Sequence, residues 1–138
     1  MQHTKATKIG LVLGSGGARG YAHIGALKIL CEADIPIDLV VGTSFGAIVG
    51  AGYAAGDNIY ELEKIALETG WIKLLKMIDF APPKGIFAGN KLEKFFSFLT
   101  QQKHFSELRV PLTVVATDIK TGEEVLINNN VINLRCTY

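Results

Sequence analysis

The stretch Gly42-Thr43-Ser44-Phe45-Gly46 limits the possible folds of this chain more than any other. It is entered from the apolar run Leu39-Val40-Val41 and left through a run of small residues, Ala47 to Ala55. Gly-x-Ser-x-Gly between a strand and a helix describes a turn sharp enough to lift a serine hydroxyl clear of a sheet. A serine held there takes an uncommon backbone conformation, and the residues two positions away on either side come so close that a Cβ clashes. Gly42 and Gly46 meet that requirement. Ser44 would also open a helix whose unpaired N–H groups and dipole favour negative charge beside it. The pattern predicts a nucleophilic Ser44; the competing reading is a tight strand–helix turn with an idle serine.

The flanking sequence completes a unit around that turn. Lys8-Ile9-Gly10-Leu11-Val12-Leu13 reads as a first strand, apolar enough to expect burial on both faces. Behind it comes a glycine loop, Gly14-Ser15-Gly16-Gly17-Ala18-Arg19-Gly20. Tyr21, Ile24, Leu27 and Leu30 or Cys31 then recur at helical spacing until Asp34-Ile35-Pro36 breaks the pattern. Strand, loop, helix and strand make a βαβ unit, with a parallel pair and a right-handed crossover.

Downstream, the many small residues after Ser44 imply close approach of a helix to the sheet, with Gly56 as its end. Asp57 or Asn58 opens a helix over Ile59 to Thr69, with Glu61 placed for a capping box. Trp71 to Ile78 is a short amphipathic segment that suits a lid, a membrane-touching patch or plain core covering. Lys91 to Leu99 forms another amphipathic helix with Asn90 as its cap, and Ala81 to Gly85 is a loop. Val110 to Thr117 is a third strand, turned by Asp118 to Glu123 into a returning edge strand, Glu124 to Ile127. The expected fold is α/β, sandwich-like in three layers, with a mostly parallel central sheet flanked by helices and its active edge at the strand carboxyl ends.

Composition narrows the function classes. At 138 residues the chain suits one domain. A net charge of +1 offers neither a nucleic-acid footprint nor a polybasic membrane anchor. The apolar run from Ile9 to Leu13 is too short for a signal peptide or a membrane span, so a cytoplasmic protein is expected. Cys31 and Cys136 lie far apart without a partner motif, so neither a disulfide framework nor a zinc site is expected.

The glycine loop admits three jobs. A dinucleotide fingerprint needs an acidic residue at the end of the second strand, where this chain has Gly42-Thr43-Ser44. A phosphate-binding P-loop needs Gly-Lys-Ser or Gly-Lys-Thr, which is missing. An oxyanion hole needs only N–H groups aimed at a developing negative oxygen, and a parallel βαβ unit brings this loop to the sheet edge that carries Ser44. Acyl transfer fits both elements. For a base, His23, His104 and Asp118 are the candidates; a surface or core histidine and a turn aspartate are the plainer accounts of them.

Gly-x-Gly-Gly-x-Arg-Gly followed one βαβ unit later by Gly-Thr-Ser-x-Gly-Ala resembles the patatin-like phospholipases, bacterial members above all. Gly85-Ile86-Phe87-Ala88-Gly89 and Ala116-Thr117-Asp118-Ile119-Lys120-Thr121-Gly122 extend the resemblance to about Asn129. The resemblance implies a lipid acyl hydrolase with a Ser–Asp dyad, no catalytic histidine and no cofactor. By position, Ser44 is the nucleophile, the N–H groups around Gly16 and Gly17 form the oxyanion hole, and Arg19 supports a loop completed by Gly14, Ser15, Ala18 and Gly20. The substrate would be a lipid or fatty-acyl ester, met with possible peripheral membrane contact, while no nucleic-acid partner is implied. One departure matters: the family's catalytic aspartate sits in an Asp-Gly motif, and this chain has no Asp-Gly pair. Residues 1–138 are therefore expected to be the N-terminal portion of a single such domain, cut before its base. A non-catalytic acyl- or lipid-binding module is the alternative.

Overall fold

The computed structural model describes residues 7–77 and 90–128. Four strands form one sheet in chain order: β1 (Gly10–Leu13), β2 (Leu39–Gly42), β3 (Leu112–Thr117) and β4 (Glu124–Ile127). β1–β2 and β2–β3 pair in parallel, in registers that set Leu13 beside Gly42 and Gly42 beside Val114. β4 returns antiparallel on β3, with Thr117 opposite Glu124, as the turn chemistry of residues 118–123 requires. The α/β class and the mostly parallel sheet expected from the sequence are both present.

Among the described residues four α-helices accompany the sheet: α1 (Ala22–Glu32), α2 (Phe45–Ala55), α3 (Ile59–Met77) and α4 (Asn90–Leu99). α2 carries the small residues, and ten of its residues are buried. Its end is a paired turn: the Gly56 N–H donates to Tyr53 O and the Asp57 N–H to Gly52 O, at 3.0 and 3.2 Å. Asn58, not Asp57, caps α3, its Oδ1 accepting the Tyr60 N–H at 3.0 Å. α3 breaks at Gly70 (φ 63°, ψ 154°), beside the helix end that the sequence places at Thr69, and runs on to Met77. The side chains of the Trp71–Met77 stretch, the Asn90 cap, the residues 81–89 and Cys136 lie outside what the structure describes at side-chain level. Cys31 is half-buried.

Leu13, Ile24, Leu27, Val40, Phe45, Val49, Leu62, Leu99 and Leu112 belong to one core cluster, with Leu27 and Val40 fully buried. Burial of each such side chain is worth about 1.5–3 kcal/mol. The expectation that β1 is buried on both faces fails. Leu13 faces the helices, but Val12 is 74% exposed and Leu39, on the same side of β2, is 39% exposed. The reason is topological: β1, β2 and β3 follow one another in one direction, so right-handed crossovers set their helices on a single face. The opposite face carries no helix among the described residues.

Candidate active site

β2 delivers its last residue, Gly42, directly to the turn, and α2 begins at Phe45. Ser44 between them has φ 50° and ψ −124° and is exposed at the end of the sheet. A non-glycine residue in that region is strained, at a cost of order 1–3 kcal/mol, and persists only where its surroundings impose it. Here they do. A Cβ on Gly42 would lie 2.7 Å from Ala47 Cα, and one on Gly46 would press into the carbonyls of Leu13 and Gly14. The Thr43 N–H donates to Leu13 O at 3.1 Å, and Thr43 Oγ1 donates to Val115 O at 3.1 Å. The turn is thereby tied to β1 on one side and β3 on the other. α2 opens at Phe45, so its N-terminal dipole lies beside Ser44.

The glycine loop lies at the same sheet end, after Leu13. Gly16 (φ 142°) and Gly17 (φ 52°) both take backbones disfavoured for L side chains, so the glycines are needed there for shape. Gly17–Tyr21 is a 3-10 turn, closed by the Arg19 N–H donating to Gly16 O at 3.0 Å. As its first residues, Gly17 and Ala18 have N–H groups with no acceptor inside the turn. Gly14, Ser15, Gly16, Ala18 and Arg19 are exposed; Arg19 acts on the loop through its backbone. Gly20 is buried, its Cα against the Phe45 ring, where a Cβ has no room. The Phe45 ring in turn meets Tyr21 edge-on at 4.9 Å. Loop and nucleophile turn are thus packed as one unit, through side chains that follow each of them.

Beneath this unit lies a small apolar cavity of about 40 Å³, partly open to solvent, among Tyr21, Ile24, Phe45, Ile48, Leu62 and Phe95. Burial raises the Tyr21 phenol pKa, so its hydroxyl stays neutral there. Val49, Ile65, Ala66 and Leu99 complete its apolar walls.

The three candidate bases have other partners or other places. Asp118 follows β3 directly and folds on itself: its Oδ1 accepts the N–H groups of Lys120 and Thr121 at 2.7 and 3.2 Å. Those bonds hold its carboxyl below the usual carboxylate range, the reverse of what a base working near neutrality needs. It also stands three residues beyond Val115, the partner of Thr43, roughly 10 Å along the strand. His104 precedes Arg109, whose N–H donates to Ala54 O at the far end of α2. His23 bonds Gly14 O at 2.8 Å. Among the described residues no carboxylate or imidazole is hydrogen-bonded to Ser44, and none forms a metal-binding cluster of three or more His, Cys, Asp or Glu. Sequence reasoning missed the 3-10 turn and the His23–Gly14 bond; no local pattern signals a bond between residues nine apart.

The patatin-like phospholipase sequence profile matches residues 11–136, which includes both glycine motifs and the sheet that joins them. The chain belongs to the patatin-like phospholipase family. It is 40% identical over 117 residues to neuropathy target esterase sws of Drosophila persimilis. It is likewise 40% identical over 117 residues to patatin-like phospholipase domain-containing protein 6 of Mus musculus. Each match covers 80% of this chain and 8% of the relative, so the chain corresponds to a small part of those proteins. As a family member it is related to lipid ester hydrolases. No helix among its described residues is long and apolar enough to cross a membrane.

Proposed function

We propose that Ser44 is the nucleophile of a lipid acyl ester hydrolase. The observation that carries this reading is the Ser44 backbone, held at φ 50° between two glycines that tolerate no Cβ and at the same sheet end as the glycine loop. In this mechanism Ser44 Oγ attacks the ester carbonyl carbon, and the N–H groups around Gly16 and Gly17 receive the oxygen that becomes negative. The alcohol leaves, an acyl-serine remains, and water releases the carboxylic acid. The fatty-acyl tail of the substrate would lie in the apolar cavity beside Phe45, which has no charged wall. The proton of Ser44 goes to a carboxylate, as the family resemblance implies, and Asp118 in its own turn is not that group. Reaching such substrates implies work at a lipid surface, from the cytoplasmic side.

The test is hydrolysis of p-nitrophenyl butyrate beside Ser44→Ala, with mass-spectrometric location of a fluorophosphonate adduct. Turnover by the parent and an adduct on Ser44, both lost in Ser44→Ala, are expected of a competent hydrolase. A second reading, an acyl-binding module with an idle nucleophile, is favoured by the lack of a base hydrogen-bonded to Ser44 among the described residues. It predicts slow labelling of Ser44 with no turnover. Labelling elsewhere, or hydrolysis untouched by Ser44→Ala, rejects both.

A further inference from the structure

We infer that His23 is a positioning residue that holds the oxyanion loop in its working shape, an inference that rests on the acyl-transfer reading of Ser44. Three of the four residues Gly14-Ser15-Gly16-Gly17 have no side chain with which to hold themselves, and fixing each backbone residue costs about 1–2 kcal/mol in entropy. Something outside the loop must hold it. His23 is the second residue of α1, a helix anchored in the core by Ile24 and Leu27. Its Nε2 lies 2.8 Å from Gly14 O. A carbonyl oxygen only accepts, so Nε2 carries the hydrogen in this contact. The same carbonyl faces the Gly46 Cα of the nucleophile turn, where a Cβ would lie 2.5 Å away. Gly14 O is therefore gripped between α1 and the start of α2.

The consequence follows from peptide geometry. In a planar trans peptide the C=O and the next N–H point in opposite directions. Fixing Gly14 O against His23 and Gly46 fixes the Ser15 N–H on the other side, and with it the path into Gly16 and Gly17. Preorganised donors of this kind stabilise a developing oxyanion without reorganising as it forms. The role also explains why His23 is not the base: the nitrogen nearest the loop is occupied as a donor.

The variants are His23→Ala, His23→Phe (a ring without a donor) and His23→Gln (a donor without a titrating ring). Three readouts apply: the rate of fluorophosphonate attachment at Ser44, kcat and KM for p-nitrophenyl butyrate where turnover exists, and the amide signals of Ser15, Gly16 and Gly17 in ¹⁵N spectra. Expected are a loss of about 10²-fold in labelling rate and in kcat for Ala and Phe with KM retained, displaced loop amides, and recovery of rate and amide positions in Gln. Wild-type labelling rates in Ala and Phe, or unmoved loop amides in a folded variant, overturn the inference. A Gln variant as inactive as Ala also overturns it, by assigning the effect to proton transfer. If the parent protein does not label at Ser44 yet the amides move and Gln restores them, the acyl-transfer reading fails while the His23 tether stands. The amide dispersion reports whether each variant is folded.

Discussion

The Gly46 α-carbon rests against the Leu13 carbonyl oxygen, with no room between them for a Cβ. This contact sets the distance between the nucleophile turn and the glycine loop, because Leu13 is the last residue before Gly14. Gly46→Ala is expected to push the two apart and lower stability by about 1–3 kcal/mol, the usual cost of overpacking. Urea unfolding measures the loss. Fluorophosphonate labelling of Ser44 should fall further than the stability change explains, since the backbone has nowhere to move but into the site.

Ser44 pays for its position with backbone strain, and this makes a prediction of opposite sign. Ser44→Gly removes the strain at φ 50° and should raise stability by about 1 kcal/mol after the entropy of a new glycine is subtracted. Ser44→Ala, which keeps a Cβ, should not be stabilised. Both lose the adduct. Equal thermal midpoints for the two variants would show that the turn is not strained.

Inside the helical layer, a Cβ on Gly52 would lie 2.5 Å from Leu62 Cδ2. Gly52→Ala alone is expected to destabilise, although alanine is the better helix former by about 1 kcal/mol. Leu62→Ala alone leaves a cavity and costs about 2–5 kcal/mol. The double variant should be more stable than the sum of the two, with a coupling of about 0.5–3 kcal/mol. Strict additivity in denaturant unfolding would place Leu62 away from α2.

Asp118 gives a pH prediction. Its pKa is lowered, first by the Lys120 N–H and then by that of Thr121, so its folded value lies below its unfolded value near 3.9. Its contribution to stability is therefore complete above about pH 4. It is lost as pH falls through the lower folded pKa. Asp118→Asn should flatten stability against pH in that acid range only. Because its carboxylate belongs to the turn, the same variant should still be labelled at Ser44. Complete loss of labelling in Asp118→Asn would return it to the mechanism as the base.

The local chemistry of this protein was legible from its sequence, because it depends on neighbours in the chain. Gly42 and Gly46 announce a turn that excludes a Cβ, Gly56 announces a helix end, Asp57 or Asn58 a helix start, and residues 118–123 a reversal; each is a short-range steric or hydrogen-bonding demand. The strand order was legible in part, since a βαβ unit permits only a parallel pair. What the tertiary structure alone decided are the long-range relations. Burial of β1 was misjudged because apolar alternation does not say which face receives a helix; the direction of successive crossovers does, and it leaves Val12 exposed. The bond from His23 to Gly14 O, and the tie from Thr43 to Val115, join residues whose spacing in sequence carries no period. They exist only because the sheet brings the ends of β1, β2 and β3 to one edge, where backbone polar groups must find partners.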